Sequence, residues 1–306
     1  MSTRRALGRS SLAAVGVLAL ALTGCSAGGA AEGGGGEESA APEAGGTLAA
    51  AQESGTITIA VADERPYSWI EGGEPKGATI AMHEQIFSSL GIDDLEVVEA
   101  DWNSLIPGLN AGRFDVISAG MSILPERCAE AAFSDPEIMY TTALMVAEGN
   151  PHGLTDLASV VEAGDEVTLA TLSGGIESGY AESLGIETTG VDNAQSGMDI
   201  VANGRADAFA MTAISLNWMA ENNPDAGVEV TDAFVAVIDG VEQIGAGATV
   251  FRQADTELLE AYNAELANIT GDVDEYMSLV GEYGFTEENL PPADLTTEQL
   301  CAGELE

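Results

Sequence analysis

Basic side chains are scarce in this chain: nine Lys and Arg stand against 51 Asp and Glu over 306 residues, a formal net charge of −42. Sequence-independent binding to nucleic acid needs Lys and Arg to displace phosphate counterions, so nucleic acid is excluded as a partner. Histidine occurs twice and cysteine three times, and neither an HExxH pair nor a nucleophile elbow is present. His83 reads as a half-buried packing residue of a helix and His152 as a loop residue. The acidic stretch Asp272 to Glu275 lacks the spacing of a calcium loop and reads as solvated surface. No catalytic residue, metal or cofactor is expected. Long apolar runs are also missing, since the run Leu12 to Leu22 falls short of the ~20 residues that cross a bilayer.

What is present is an ordinary apolar share, 45%, which argues against wholesale disorder. The length suits two domains or one domain of two lobes. Arg4, Arg5 and Arg9 precede the Leu12 to Leu22 run, and Leu22-Thr23-Gly24-Cys25 resembles the bacterial lipobox. Residues 1–24 therefore read as a lipoprotein signal peptide and Cys25 as an acylated N-terminus, a lipid tether on the outer face of the cytoplasmic membrane. Its removal leaves six basic residues against 51 acidic ones. Charge so one-sided repels itself unless salt screens it, the Debye length falling to about 3 Å near 1 M; a saline habitat is one reading and a solvated acidic surface without meaning for the ligand the other. With Cys25 acylated, Cys128 and Cys301 remain in an oxidising space; one disulfide is the economical reading and two buried thiols the alternative.

Ser26 to Gly46 is Gly, Ala, Glu, Ser and Pro, so residues 25–54 read as lipidated Cys and flexible linker. From Thr56 the pattern is α/β. Strands are expected at Thr56 to Ala62, Leu95 to Glu99, Asp115 to Ala119, Val167 to Leu172, Asp207 to Met211 and Ala248 to Phe251. Helices are expected at Ile80 to Leu90, Asn103 to Asn110, after Gly174-Gly175, at Ala194 to Ala202, at Ile214 to Glu221 and at Thr256 to Thr270. Phe133 to Val146 reads as one extended segment. The chain crosses between lobes twice, giving lobe 1 as residues 55–148 plus 246–306 and lobe 2 as 149–245, with glycine at both crossings to serve a hinge.

Three runs carry a resemblance: Ile106-Pro107-Gly108-Leu109-Asn110-Ala111-Gly112-Arg113-Phe114-Asp115, then Ala119 to Arg127, then Phe133-Ser134-Asp135-Pro136. With Gly204-Arg205-Ala206-Asp207-Ala208 their order and spacing resemble the family 3 extracellular solute-binding proteins of ABC importers. Within that family, Pro125-Glu126-Arg127-Cys128, Gly149 to Leu154 and Thr296 to Gly303 resemble the ectoine and hydroxyectoine binders. The resemblance implies an α/β, two-lobed, type II periplasmic-binding-protein-like fold with the ligand in the interlobe cleft. It also implies a monomeric, non-enzymatic, extracytoplasmic protein with an ABC permease as its partner. A polar amino-acid binder, for glutamine for example, is the alternative ligand reading, and an exported dehydratase-like enzyme is the rival class.

The site is expected beyond the carboxyl ends of strands. Arg127 offers a planar fork for a carboxylate, and Glu64 would face a ligand cation. Tyr67, Trp69 and Trp102 lie in loops where a ring face holds a delocalised cation; the resemblance implies stacking roles for Tyr67 and Trp102. Gly174 and Gly175 would leave backbone N–H groups for a carboxylate. Amino-acid binders of the family usually hold the α-ammonium with an Asp where this chain has Thr212, and a hydroxyl cannot neutralise an ammonium. That favours a cyclic zwitterion, whereas Ser122 stands where the ectoine binders often have an aromatic.

Overall fold

Short strands of small and β-branched residues, buried on both faces, account for most of the two sheets. The computed structural model describes residues 46–303; the signal-peptide reading of 1–24 and the lipidation reading of Cys25 fall outside the described residues. In the first sheet Asp94–Glu99, Thr56–Val61 and Val116–Ser122 run parallel, and Gly245–Phe251 lies antiparallel beside Val116–Ser122. Two short strands, Ala132–Phe133 and Ile138–Tyr140, pair along the other side of Gly245–Phe251. The second sheet repeats the plan. Thr188–Val191, Leu169–Leu172 and Ala208–Thr212 are parallel, then Thr142–Ala147 is antiparallel and Val228–Val230 forms the edge.

Alternation along a strand sorts each core into layers. Ile57 and Ile59 join Phe87 and Tyr262 under the helices Ala78–Ser89 and Thr256–Thr270. Ala60 faces the other way, toward Leu105 and Leu109 of the short helix Leu105–Asn110. His83 is fully buried rather than half-buried, and its Nε2 lies 2.7 Å from the Thr249 hydroxyl. Burial without a charged partner pushes its imidazole down to about 3, so it is neutral at every physiological pH.

Three boundaries differ from those read in the sequence. A helix, Gly46–Ser54, occupies the end of the expected linker. Its Thr47 donates a 2.7 Å hydrogen bond to Asp255, and Ala51 joins the core. Gln52 donates to the Leu90 carbonyl at 2.9 Å, Arg252 donates to the Thr47 hydroxyl at 3.3 Å, and Leu48 packs on the same core, so tertiary contacts anchor a segment whose low-complexity composition gave no warning.

The second difference is the first crossing. Tyr140 still pairs with the first sheet and Thr142 already pairs with the second. Lobe 2 thus begins at Thr142, not at Gly149, and the sequence pattern shows a single extended run because both strands are apolar. Gly149-Asn150 instead makes the turn after Thr142–Ala147, with Asn150 hydrogen-bonded twice to Leu154. The chain returns between the bridge Thr142↔Phe234 and Gly245, through the hairpin Val237–Ile238 with Val241–Glu242. The expected single run Phe133 to Val146 is the third difference, being three strands with breaks.

Cys128 and Cys301 form a disulfide with their Cα atoms 5.7 Å apart. It joins the tail helix Thr297–Ala302 to the four-residue helix Pro125–Cys128 that carries Arg127. No helix among the described residues is long and apolar enough to cross a membrane.

Candidate functional site

The carboxyl ends of the parallel strands in both sheets meet at one seam. Glu64 follows Thr56–Val61, Trp102 follows Asp94–Glu99, Ser122 ends Val116–Ser122, Gly174 and Gly175 follow Leu169–Leu172, and Thr212 ends Ala208–Thr212. Glu64, Tyr67, Trp102, Ser122, Gly175 and Thr212 line one cavity with Tyr140 and Glu177. Its enclosed space is ≈ 20 Å³, room for about one water, so a larger solute enters only when the lobes part. A hollow of ≈ 430 Å³ on the second lobe is larger, but its lining of Asp165, Glu187, three threonines, glycines and aliphatic residues includes no basic side chain. Chemistry, not volume, points to the seam.

Arg127 is half-buried at one end of it. Nη1 donates to the Ser122 carbonyl at 3.1 Å and Nη2 donates to the Gly174 carbonyl at 2.8 Å, the second bond crossing between lobes. The guanidinium carbon lies 5.6 Å from the centroid of the Trp102 ring, whose indole N–H donates to the same Gly174 carbonyl at 3.1 Å. Gly174 has φ +76°, and a Cβ there would sit 2.3 Å from the Asn103 Oδ1. A glycine is what lets the lobes approach this closely. Gly175 caps the helix Ile176–Ser183, but its N–H is already bonded to the Leu172 carbonyl at 2.9 Å. The pair of free N–H groups expected there is not present; Gly174 contributes a carbonyl instead.

At the other end Glu64 is buried, and its Oε1 accepts from the Ser215 hydroxyl at 3.0 Å and the Thr212 hydroxyl at 3.3 Å. These hydroxyls belong to lobe 2, so they too span the seam. Burial pushes the Glu64 carboxyl up to about 8, with Glu177 adding repulsion and Arg127 opposing it more weakly. Thr212 thus spends its hydroxyl on Glu64 and Ser215.

The aromatic side chains fall into place unequally. Tyr67 is buried edge-on to Tyr140 and Phe285, and Gly120 has no Cβ because one would lie 2.6 Å from the Tyr67 ring. Its hydroxyl is buried without a partner among the described residues. Trp69 lies outside this cavity: it meets Trp218 of lobe 2 at 5.8 Å and carries Arg65 at 5.2 Å over its ring. Arg65 also pairs with Asp63 and Glu71. All three tryptophans of the chain therefore lie along the seam.

Tyr140, Glu177 and Ser215 were not anticipated. Tyr140 ends a strand that the sequence merges into a longer run, and its hydroxyl donates to Ser122. It supplies a third ring beside Tyr67 and Trp102 in the lining of the cavity. Glu177 stands in the first turn of its helix, where an acid ordinarily needs no further explanation. Its position next to Gly174-Gly175 was the available signal.

Residues 57–284 match the bacterial extracellular solute-binding proteins, family 3. A relative from Sinorhizobium fredii, "Probable amino-acid ABC transporter periplasmic-binding protein", is 33% identical over 264 residues, 84% of this chain and 86% of its own length. The crystal structure of EhuB in complex with hydroxyectoine superposes with a TM-score of 0.75 at 29% identity, over 85% of this chain and 99% of EhuB. An ancestral amino acid-binding protein, AncCDT-1, a precursor of cyclohexadienyl dehydratase, gives 0.67 at 24% over 78% and 99%, a likeness of fold alone.

Proposed function

Because the chain belongs to the family 3 bacterial extracellular solute-binding proteins, and is thus an extracytoplasmic solute-binding component of an ABC transporter, we propose that its ligand is ectoine or hydroxyectoine. Arg127 takes the carboxylate, Glu64 accepts from the amidinium N–H groups, and Tyr67, Trp102 and Tyr140 enclose the ring. The observation that carries this reading is Thr212. It has no charge to give a free α-ammonium, and its hydroxyl is already engaged with Glu64. A cyclic zwitterion has no primary ammonium to satisfy.

The polar amino-acid reading keeps one observation in its favour: Ser122 is a hydroxyl where an aromatic would suit the ectoines. Titration calorimetry with ectoine, hydroxyectoine, glutamine and glycine betaine separates the two. We expect either ectoine to bind at least tenfold tighter than glutamine, about 1.4 kcal/mol. Tighter binding of glutamine overturns the ectoine reading, and turnover of any of these solutes would favour the dehydratase-like class. The protein acts as a monomer, held by a lipid on Cys25 and delivering its solute to a permease. Cys25→Ala is expected to release it from the membrane fraction; continued tight association counts against the anchor.

A further inference from the structure

The seam holds a second acid. Glu177 is 3% exposed, and its Oε1 has no hydrogen-bond donor among the described residues. Its own backbone N–H and the Thr142 hydroxyl lie near enough to favour the charged carboxylate, though less than burial opposes it. A bare, buried carboxyl oxygen costs about 1–3 kcal/mol or more, and buried polar atoms are as a rule satisfied. Glu177 lines the seam cavity together with Glu64, and a solute held there would supply the missing donor. The two acids come from different lobes, so they address that cavity from separate walls.

We propose that Glu177 and Glu64 jointly select the cation of the ligand, each accepting an N–H from a planar, delocalised N–C–N cation, so that the site favours carboxylate-bearing solutes with a cyclic amidinium or a guanidinium over a neutral amide. The inference rests on reading the seam as the solute site, and it adds the class of cation. The two ring N–H groups of a cyclic amidinium diverge, and a guanidinium carries N–H groups on separate edges, so either cation can reach acceptors that come from different lobes. An amide presents a carbonyl where one of those acceptors needs a donor. Among the described residues Arg127 is the one cation acting on either acid, and the other titratable groups that bear on them are the neutral phenols Tyr67, Tyr140 and Tyr180. With Arg127 committed to the ligand carboxylate, two acids face a single positive charge. One shared proton restores balance, consistent with burial pushing Glu177 up to about 7 and with burial, helped by the Glu177 charge, pushing Glu64 up to about 8.

The test is calorimetric titration of the whole protein with ectoine, arginine and glutamine, in the parent chain, in Glu177→Gln and in Glu177→Met, with thermal melts to establish folding. Gln keeps the shape and loses the charge; Met keeps the volume and cannot accept. At least one planar-cation solute is expected to bind the parent tenfold tighter than glutamine. Either substitution should weaken that solute at least tenfold while leaving glutamine within threefold or tighter. Equal weakening of all three solutes, no weakening, a parent that prefers glutamine, or a parent that binds neither cation overturns the proposal. Arginine binding that depends on Glu177 while ectoine fails to bind would sink the ectoine reading and keep this one. Ectoine binding indifferent to Glu177 would do the reverse.

Discussion

Replacing Arg127 tests the electrostatics of the seam at their strongest point. The guanidinium makes one bond within its own lobe, to the Ser122 carbonyl, and one to lobe 2, through the Gly174 carbonyl, while resting near the Trp102 ring. Hydrogen bonds from a charged donor are worth about 1.5–3 kcal/mol each, so Arg127→Ala removes one such contribution to lobe closure even without ligand. With ligand present it also strands a desolvated carboxylate, for a total cost of about 2 to 5 kcal/mol. In affinity for hydroxyectoine that is roughly 30-fold to several thousand-fold at 1.4 kcal/mol per decade. Arg127→Lys keeps a point charge but not the fork, and should fall between, about 10- to 100-fold weaker. Titration calorimetry reads both, and thermal melts should change little because Arg127 is half-buried on a four-residue surface helix. Binding by Arg127→Ala within threefold of the parent would refute the role given to Arg127 and the closure argument with it.

In the closed arrangement both carboxyls sit above their ordinary value of 4.5, Glu177 at about 7 and Glu64 at about 8. An open form that solvates them binds fewer protons between those values, so closure without ligand is favoured at pH 5 and weakens as pH rises toward 8. Tryptophan fluorescence should follow that change, and Glu64→Gln with Glu177→Gln should flatten it; a parent signal independent of pH contradicts the sign. Gly174→Val adds a side chain against Asn103 at φ +76°, and should weaken hydroxyectoine binding at least tenfold with partial recovery in Asn103→Ala; undiminished binding would show that the lobes do not need this approach. Reduction of Cys128–Cys301, which closes a separation of 173 residues, should remove up to about 5 kcal/mol of stability on the chain-entropy account, read by denaturant melts with and without reductant; coincident melts would contradict it.

The strands and helices were legible where a single periodicity ruled, as in Thr56–Val61 and Thr256–Thr270. So were the residues after strand ends, because an open α/β sheet leaves few other places for a ligand. The crossing at Thr141 was not legible, since strand partners are set by tertiary pairing and the apolar run is continuous through Tyr140 and Thr142. Glu177 was hidden for another reason. A first-turn acid looks alike whether it faces water or a ligand, and only burial against the opposite lobe distinguishes the two. The sequence marks the glycines at 174 and 175 as a source of free N–H groups, yet the turn uses one of these internally and presents a carbonyl to Arg127 and Trp102.

The most direct measurement is diffraction from crystals grown with hydroxyectoine. One compact molecule should occupy the seam, its carboxylate within hydrogen-bonding distance of the Arg127 guanidinium and its ring N–H groups on Glu64 and Glu177. Hydroxyectoine bound elsewhere on the protein, or in the seam with its carboxylate turned away from Arg127, would contradict the account.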